Sequence, residues 1–492
     1  MTSIVNALRR NEGVASATRL AGYAAITALA AVATFLTTPV LVRSLGLKGF
    51  GSYSLLDPLL VSTAAVILLG ADHGVLKRIA YDHVDLRVAV GAALPFMIPL
   101  LILVGIVIAC ISPRLAAATI IPAALGILVP AEALLLFLTT AFRASNRLGA
   151  YAFAQGGRAV LILASVLFLS KVSRGATMSV GTVILVRLVV AGSLVVLSVL
   201  LVRPLLRIDW SAYRDGIQYG IFLVVTSALS AFQDNFDRYV IASASGRETV
   251  GGYVVCIKVA AIVGQSVILP LMIWFPAERL RHLKDEDGGE RFFRTTSVIM
   301  LSLLLMVSGS VFLCGPQLVA LIGPGTPYKP AVLLMLLAAG ISTGMAHPLN
   351  IGLFKPGLSH YNMYPVAIAG AIGFFLARAW VAQGGVISVA AVKALSGLLA
   401  LSMIYLLSQR AHAIRVDLVK LASLVAISGG LLTLLTSGAP SSLNLWIKVA
   451  SFLATIIGVS AVFVGRSMRY SANVHGPISE LQEAAAVPNC EL

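Results

Sequence analysis

Apolar residues occur along the whole chain in runs of about twenty, and most polar residues stand in short breaks between these runs. An α-helix needs a run of about twenty apolar residues to cross the hydrocarbon core of a bilayer. The pattern therefore predicts an all-α, polytopic membrane protein of about fourteen transmembrane helices. The predicted helices cover residues 21–42, 53–72, 88–111, 115–141, 153–171, 177–202, 217–236, 249–275, 295–314, 330–354, 363–383, 386–407, 417–437 and 444–464.

The composition supports lipid as the natural surroundings of this chain. Of the 492 residues, 59% are apolar and 11% are charged, whereas a soluble domain carries about 25% charged residues. The formal net charge is +16, but no basic segment is long enough or aromatic enough to form a nucleic-acid surface. Membrane proteins collect Lys and Arg in their cytoplasmic loops. We therefore expect the lipid bilayer as a partner and no nucleic acid.

The basic residues also predict the orientation of the chain. They are concentrated in alternate loops, and the most highly charged loop is AERLRHLKDEDGGERFFR at 277–294. With these loops inside, both termini are cytoplasmic and the number of helices is even. The first apolar run is long enough to stay as a helix rather than be cleaved as a signal. The four cysteines show no metal-ligand or redox spacing, so we expect no disulfide framework, no metal site and no cofactor.

A short glycine-marked break occurs twice in the sequence. LVRSLGLKGFGSY ends at Tyr53 and IASASGRETVGGY ends at Tyr253, with two further glycine pairs aligned at the same offset. Glycine allows backbone conformations that a helix refuses, so both glycines of each break are predicted to help the chain turn. Six helices separate the copies, so both enter the membrane in the same sense, as in parallel-repeat transporters.

The repeat predicts two six-helix lobes with a seam between them that can open to either side. The expected divisions are an N-terminal lobe at 1–210, a C-terminal lobe at 211–410, two additional helices at 411–465 and a polar cytoplasmic tail at 466–492. The tail is polar and mildly acidic, and we expect it to be disordered.

Several motifs resemble those of a known family. LVRSLGLKGFGSYSLLDPLL is followed by LLGADHGVLKRIA, and the second half carries FQDNFDRYVIASASGRETVGGYVV and LVALIGPGTPYKPAVLLMLLAAG. In this order they are similar to the bacterial oligosaccharide-lipid flippases of the O-antigen transporter type. That family belongs to the multidrug/oligosaccharidyl-lipid/polysaccharide exporter superfamily.

The resemblance implies a flippase in the bacterial cytoplasmic (inner) membrane. It implies alternating-access translocation of an undecaprenyl-diphosphate-linked oligosaccharide for surface or extracellular polysaccharide synthesis, with polysaccharide polymerase machinery as a further partner. A multidrug or cation antiporter of the same superfamily is the alternative. No acid–base cluster or large extramembrane loop indicates an enzyme.

Charged residues within the predicted helices are the candidate site, because a basic side chain at a helix centre costs roughly 2.5 kcal/mol or more. Arg187 and Lys258 lie near mid-depth and are the first candidates for binding a diphosphate. Arg378 and Lys393 flank the turn between helices eleven and twelve. They are candidates for the same cationic cavity or for interfacial anchors.

Acidic residues form a second group of candidates: Asp57, Glu132 and Asp237. They are interpreted either as sites for a coupling ion or as partners of basic neighbours. For Asp237, pairing with the adjacent Arg238 or anchoring of the loop is the favoured interpretation.

Overall fold

The computed structural model of the protein describes residues 2–115, 122–172, 177–272, 275, 289–354, 359–414, 416–438 and 444–484. Throughout these ranges the chain is helical, with short connections and no β-strand. Eleven of the described helices are long and apolar enough to cross a membrane. Three of the eleven are each divided by one non-helical glycine. The described residues thus form fourteen spans, and the predicted fold class is confirmed.

We number the spans in chain order. Thr2–Ile67 is divided at Gly46 into α1 (2–45) and α2 (47–67). The rest of the first half is α3 Leu86–Leu115, α4 Pro122–Ala144, α5 Leu148–Val172 and α6 Val180–Val202. Gly246 separates α7 (210–245) from α8 (247–272), and then come α9 Glu290–Leu313 and α10 Pro330–Leu349. Met363–Ala411 is divided at Gly385 into α11 (363–384) and α12 (386–411), before α13 Leu418–Ser437 and α14 Leu445–Ala484.

The helix ends differ from the predicted ones in two informative places. The last helix continues to Ala484, so the prediction of a disordered tail is wrong for residues 466–484, and 485–492 lie outside the described residues. A helix that has already formed in the membrane extends at low cost, because only its first turn is difficult to nucleate. Most of the charged loop at 277–294 lies outside the described residues, and α9 already begins at Glu290.

The predicted breaks are single-residue kinks. Gly46 has φ 67° and ψ 168°, and Gly246 has φ 81° and ψ 172°. Residues other than glycine rarely adopt a positive φ of this kind. The two halves of the repeat therefore share the same local backbone, and the helix resumes directly after each glycine.

Gly51 and Gly251 have a different role from the one predicted. Both lie inside helices, so neither provides a turn. A Cβ atom on Gly51 would lie 1.8 Å from the carbonyl oxygen of Arg247, and one on Gly251 would lie 2.2 Å from that of Leu47. The contacts are reciprocal, as expected around a twofold axis. They bring α2 of the N-terminal half against α8 of the C-terminal half, backbone to backbone.

A second close contact joins the halves at the other end of α2. A Cβ atom on Gly70 would lie 2.5 Å from the Cα of Gly220, and one on Gly74 would lie 2.4 Å from the Cα of Gly216. Gly74 belongs to the short helix Ala71–Ala80, and Gly216 and Gly220 belong to the first part of α7. The two lobes therefore touch at both ends of α2 in this conformation.

The last two helices pack against α9. Phe452 of α14 is 1% exposed. Its ring fills the space beside Gly309, where a Cβ atom would lie 2.2 Å from the ring. Ser460 donates a hydrogen bond to Ser302 over 2.7 Å. Elsewhere on the spans large apolar side chains such as Phe168 and Phe375 are exposed, as expected for surfaces that face lipid.

Candidate functional site

The N-terminal lobe contains a buried ionic cluster centred on Arg187 of α6. The Arg187 side chain is 3% exposed and forms ion pairs with Asp57 of α2 and Glu132 of α4, the latter over 3.0 Å. A further Nη1–H donates to the hydroxyl of Tyr53 over 3.2 Å. Arg158 of α5 pairs with the other oxygen of Glu132 at 2.5 Å. Four spans of this lobe are thus joined by charge-assisted hydrogen bonds, which are stronger than neutral ones.

Asp57 is the part of this cluster that reaches the boundary between the lobes. Its side chain is 32% exposed, against 5% for Glu132. Its carboxylate lies within electrostatic range of Lys258 and Arg238, which belong to the opposite lobe. Asp57 therefore links the Arg187 cluster electrostatically to basic residues of the opposite lobe.

Lys258 of α8 lies in the middle of its span and has no direct partner among the described residues. It is half-buried. Among the described residues it has neither a salt bridge within 4.0 Å nor a side-chain hydrogen bond. Its charged neighbours are Asp57, Arg238 and Arg187, at longer range. It lies roughly 16 Å along α8 at 1.5 Å per residue, which is about half of the hydrocarbon thickness.

The C-terminal lobe has its own buried ion pair. Asp237 of α7 is 0% exposed and accepts from the ammonium of Lys393 of α12 over 2.7 Å. The hydroxyl of Tyr253 donates to the same carboxylate oxygen over 2.6 Å. Lys393 also donates to the carbonyl oxygen of Asp234 over 2.5 Å. In this conformation the Lys393 ammonium is bound to Asp237 and Asp234, both residues of its own lobe.

The predicted pairing of Asp237 with the Arg238 side chain is wrong. Arg238 gives Asp237 only its backbone N–H, over 3.0 Å. Its guanidinium donates to the carbonyl oxygen of Ser54 of α2, over 3.1 Å. Adjacent residues on a helix do not face each other, so Asp237 points into its lobe while Arg238 points across to the other lobe.

Arg378 lies apart from these groups. It is exposed near the end of α11 and donates to the hydroxyl of Ser243 over 2.7 Å. The structure therefore brings Arg187, Asp57 and Glu132 together and brings Lys393 and Asp237 together. It places Lys258 within electrostatic range of Asp57 and Arg187 and leaves Arg378 outside.

Several participants were not among the predicted site residues. Tyr53 and Tyr253 occupy equivalent positions of the repeat, and each hydroxyl binds the buried ion pair of its own lobe. Their common offset is visible in the sequence, but the sequence does not indicate the ion pairs that they contact. Arg158 lies near the start of the predicted fifth helix, at 153–171; because α5 begins at Leu148, Arg158 lies further from the helix end than predicted.

The fold is similar to that of solved membrane transporters. An inward closed structure of the lipid II flippase MurJ aligns with a TM-score of 0.66 at 9% identity, over 90% of this chain and 98% of MurJ. The chain shares its fold with this flippase and with MATE transporters. An outward-facing MATE family transporter of the MOP superfamily gives a TM-score of 0.55 at 13% identity, over 80% and 94% of the two chains. A MATE in the bent conformation gives 0.54 at 13% identity, over 84% and 96%. The protein-family models and curated protein sequences compared with the chain gave no match.

Proposed function

We propose that this MOP-fold protein is a flippase for an undecaprenyl-diphosphate-linked oligosaccharide in a bacterial cytoplasmic membrane. The observation that carries the proposal is Lys258, a half-buried ammonium at mid-span with no direct partner among the described residues. A lysine in this position is costly unless an anion or water meets it. The phosphate groups of a lipid carrier are anions that reach this depth only inside a protein.

The ionic cluster of the other lobe supports the same cargo. The charge of Arg187 is already paired with Asp57 and Glu132, so in this conformation its role is to fix Asp57 at the lobe boundary. Lys258 is then the available point charge, with Arg187 and Arg238 adding positive potential nearby. The greater overlap with the lipid II flippase than with the MATE structures also favours a lipid-linked cargo.

The orientation proposed is with both termini in the cytoplasm, so that the glycan moves outward by alternating access and is passed to polysaccharide polymerase machinery. Single cysteines at Asn146 and Lys329, in a background without native cysteines, test this orientation. We expect an impermeant maleimide added outside cells to label residue 329 and not residue 146. The opposite labelling would reverse the proposed direction.

A cation antiporter is the second candidate function, and one observation favours it. Asp57 and the exposed Asp234 are accessible carboxylates on helices that line the lobe boundary, and carboxylates attract cationic cargo. The two functions make opposite demands on Lys258, since an ammonium repels a cation and binds a diphosphate.

Proteoliposomes distinguish the two functions. The probe is a fluorescent polyprenyl-diphosphate oligosaccharide, whose transfer is followed by a membrane-impermeant quencher. We expect transfer by the wild type, a loss of at least about tenfold in Lys258→Ala and retention in Lys258→Arg. Lys448→Ala, near the start of α14, is the matched control and should transfer normally. Transfer of a cationic dye, together with no transfer of the polyprenyl probe, would replace the flippase by the antiporter.

A further inference from the structure

Pro58 lies in the middle of α2, directly after Asp57. In a regular helix the N–H of residue 58 would donate to the carbonyl oxygen of Ser54. Proline has no N–H, and its ring presses on the carbonyl four residues earlier. The Ser54 carbonyl oxygen therefore has no donor within its own helix, and a buried carbonyl without a donor is unfavourable.

The missing donor comes from the other lobe. The guanidinium of Arg238 donates to the Ser54 carbonyl oxygen over 3.1 Å. The hydroxyl of the next residue, Tyr239, donates to the Leu55 carbonyl oxygen, also over 3.1 Å. Two successive carbonyls just before the proline of α2 are thus paired with two successive side chains of α7, across the boundary between the lobes.

Arg238 uses little of its binding capacity in this arrangement. A guanidinium has five N–H donors, and the Nε of Arg238 is buried without a partner. Across the described chain no carboxylate forms a salt bridge with Arg238, because the adjacent Asp237 is bound to Lys393. A full positive charge is therefore held by a neutral oxygen, close enough to Lys258 to interact with it electrostatically.

We infer that Arg238 is a second headgroup-binding residue, which the closed protein holds on the Ser54 carbonyl left free by Pro58. This inference rests on the proposed function, since it assigns a second cation to the same anionic headgroup. Separation of the lobes breaks the bond between α7 and α2 and frees the guanidinium. Phosphate oxygens bind a guanidinium more strongly than a neutral carbonyl does, and in bidentate geometry. The headgroup thus competes with Ser54 for Arg238 and favours the open state, while Lys258 binds the second phosphate.

Two readouts test this inference on the full chain in lipid nanodiscs. The first is the affinity for undecaprenyl diphosphate. The second is the distance between spin labels at residues 48 and 248, without and with undecaprenyl diphosphate, in a background without native cysteines. Lys48 and Glu248 are exposed near the starts of α2 and α8, so a separation of the lobes changes this distance.

Three variants distinguish the contacts that hold the lobes together from the residue that binds the headgroup. Pro58→Ala restores the N–H that pairs Ser54, and Tyr239→Phe removes only the hydroxyl. Both should broaden the distance distribution without ligand, and both should bind undecaprenyl diphosphate as well as the wild type or better. Arg238→Gln should also broaden the distribution, but its affinity should fall about tenfold or more. Pro99→Ala, at an exposed proline of α3, is the matched control and should change neither readout.

Several results would overturn the inference. Undiminished binding by Arg238→Gln would remove Arg238 from the headgroup site and leave Lys258 and the flippase function standing. Unchanged distances in both Pro58→Ala and Tyr239→Phe would show that these contacts do not hold the lobes. No binding by the wild type would overturn this inference and the proposed function together, which distinguishes that failure from the first.

Discussion

Gly51 and Gly251 lie against each other at the boundary between the lobes, with no side chain between their helices. A Cβ atom on Gly51 would lie 3.0 Å from the backbone nitrogen of Gly251. Each also touches the carbonyl of the residue that follows the kink of the opposite half, Arg247 or Leu47. The two repeats therefore meet at equivalent points, and the contact depends on the absence of a single carbon atom at each.

Replacing Gly251 by Ala should disrupt this contact. The added methyl group overlaps the Leu47 carbonyl, and overpacking of this kind costs typically about 1–3 kcal/mol. We expect a lower midpoint of thermal unfolding in detergent and faster cross-linking of cysteines that are accessible only when the lobes part.

The neighbouring glycine provides the control. A Cβ atom on Gly252 would make an ordinary contact of 3.5 Å with the Cγ2 of Thr326. Alanine is favoured over glycine in a helix by about 1 kcal/mol, so Gly252→Ala should be neutral or stabilising. Equal midpoints for the two variants would show that the backbone contact contributes nothing to closure.

The two carboxylates that pair with Arg187 should contribute unequally to the stability of the protein. Glu132 is nearly inaccessible and binds both Arg187 and Arg158. Glu132→Gln leaves these cations without one charge partner, and breaking a buried ion pair costs roughly 3–5 kcal/mol. Asp57→Asn should cost less, because Asp57 is partly accessible and water can replace it.

Unfolding in detergent, with transport measured on the same samples, checks this order. We expect Glu132→Gln to lower stability and Asp57→Asn chiefly to alter transport. A larger stability loss in Asp57→Asn would contradict the assignment of Asp57 to the lobe boundary.

Asp417 lies just outside the membrane spans, before the start of α13. Its environment predicts that the stability of the protein depends on pH. Partial burial acts to raise the pKa of Asp417, but hydrogen bonds from Lys420 and Arg294 and the charge of Lys420 outweigh it, so the pKa is lower than usual. The carboxylate joins the start of α13 to Arg294 of α9, over 3.3 Å. The ionised form is therefore the one that stabilises this contact.

The direction of the pH dependence follows from the lowered pKa of Asp417. The contribution is complete above the unfolded pKa, about 3.9, and is lost as the pH falls through the lower folded value. Asp417→Asn keeps a side-chain oxygen for the start of the helix but removes the charge. The wild type should exceed this variant in unfolding midpoint from pH 8 to 5, and the difference should become smaller as the pH falls from 4 to 3. A constant difference over this range would exclude the charge as its cause.

The spans could be predicted from the sequence because the hydrocarbon thickness fixes the length of an apolar run regardless of its neighbours. The kinks at Gly46 and Gly246 could be predicted because a positive φ selects glycine. Gly51 could not be assigned correctly in the same way. A glycine needed for close packing in a helix has the same one-letter code as a glycine needed for a turn, and only the three-dimensional contact separates them.

The ion pairs of the candidate site were harder to predict from the sequence than the spans and kinks. Lys393 and Asp237 are 156 residues apart, and nothing local to either predicts that they meet. Arg238 is next to Asp237 in the chain and was therefore the natural partner to propose. Successive side chains on a helix point about 100° apart. The Asp237 side chain therefore points into its own lobe, and the Arg238 side chain points toward the other lobe.

The short stretch of α2 from Tyr53 to Pro58 carries contacts to both lobes at once. Tyr53 and Asp57 bind Arg187, whereas the carbonyls of Ser54 and Leu55 bind α7. Inserting one residue between Tyr53 and Asp57 would turn the residues before the insertion by about 100° relative to those after it. Tyr53 and Asp57 could then no longer both meet Arg187. This stretch is therefore fixed in length as well as in composition, and deletion or insertion scanning should find it the least tolerant part of the helix.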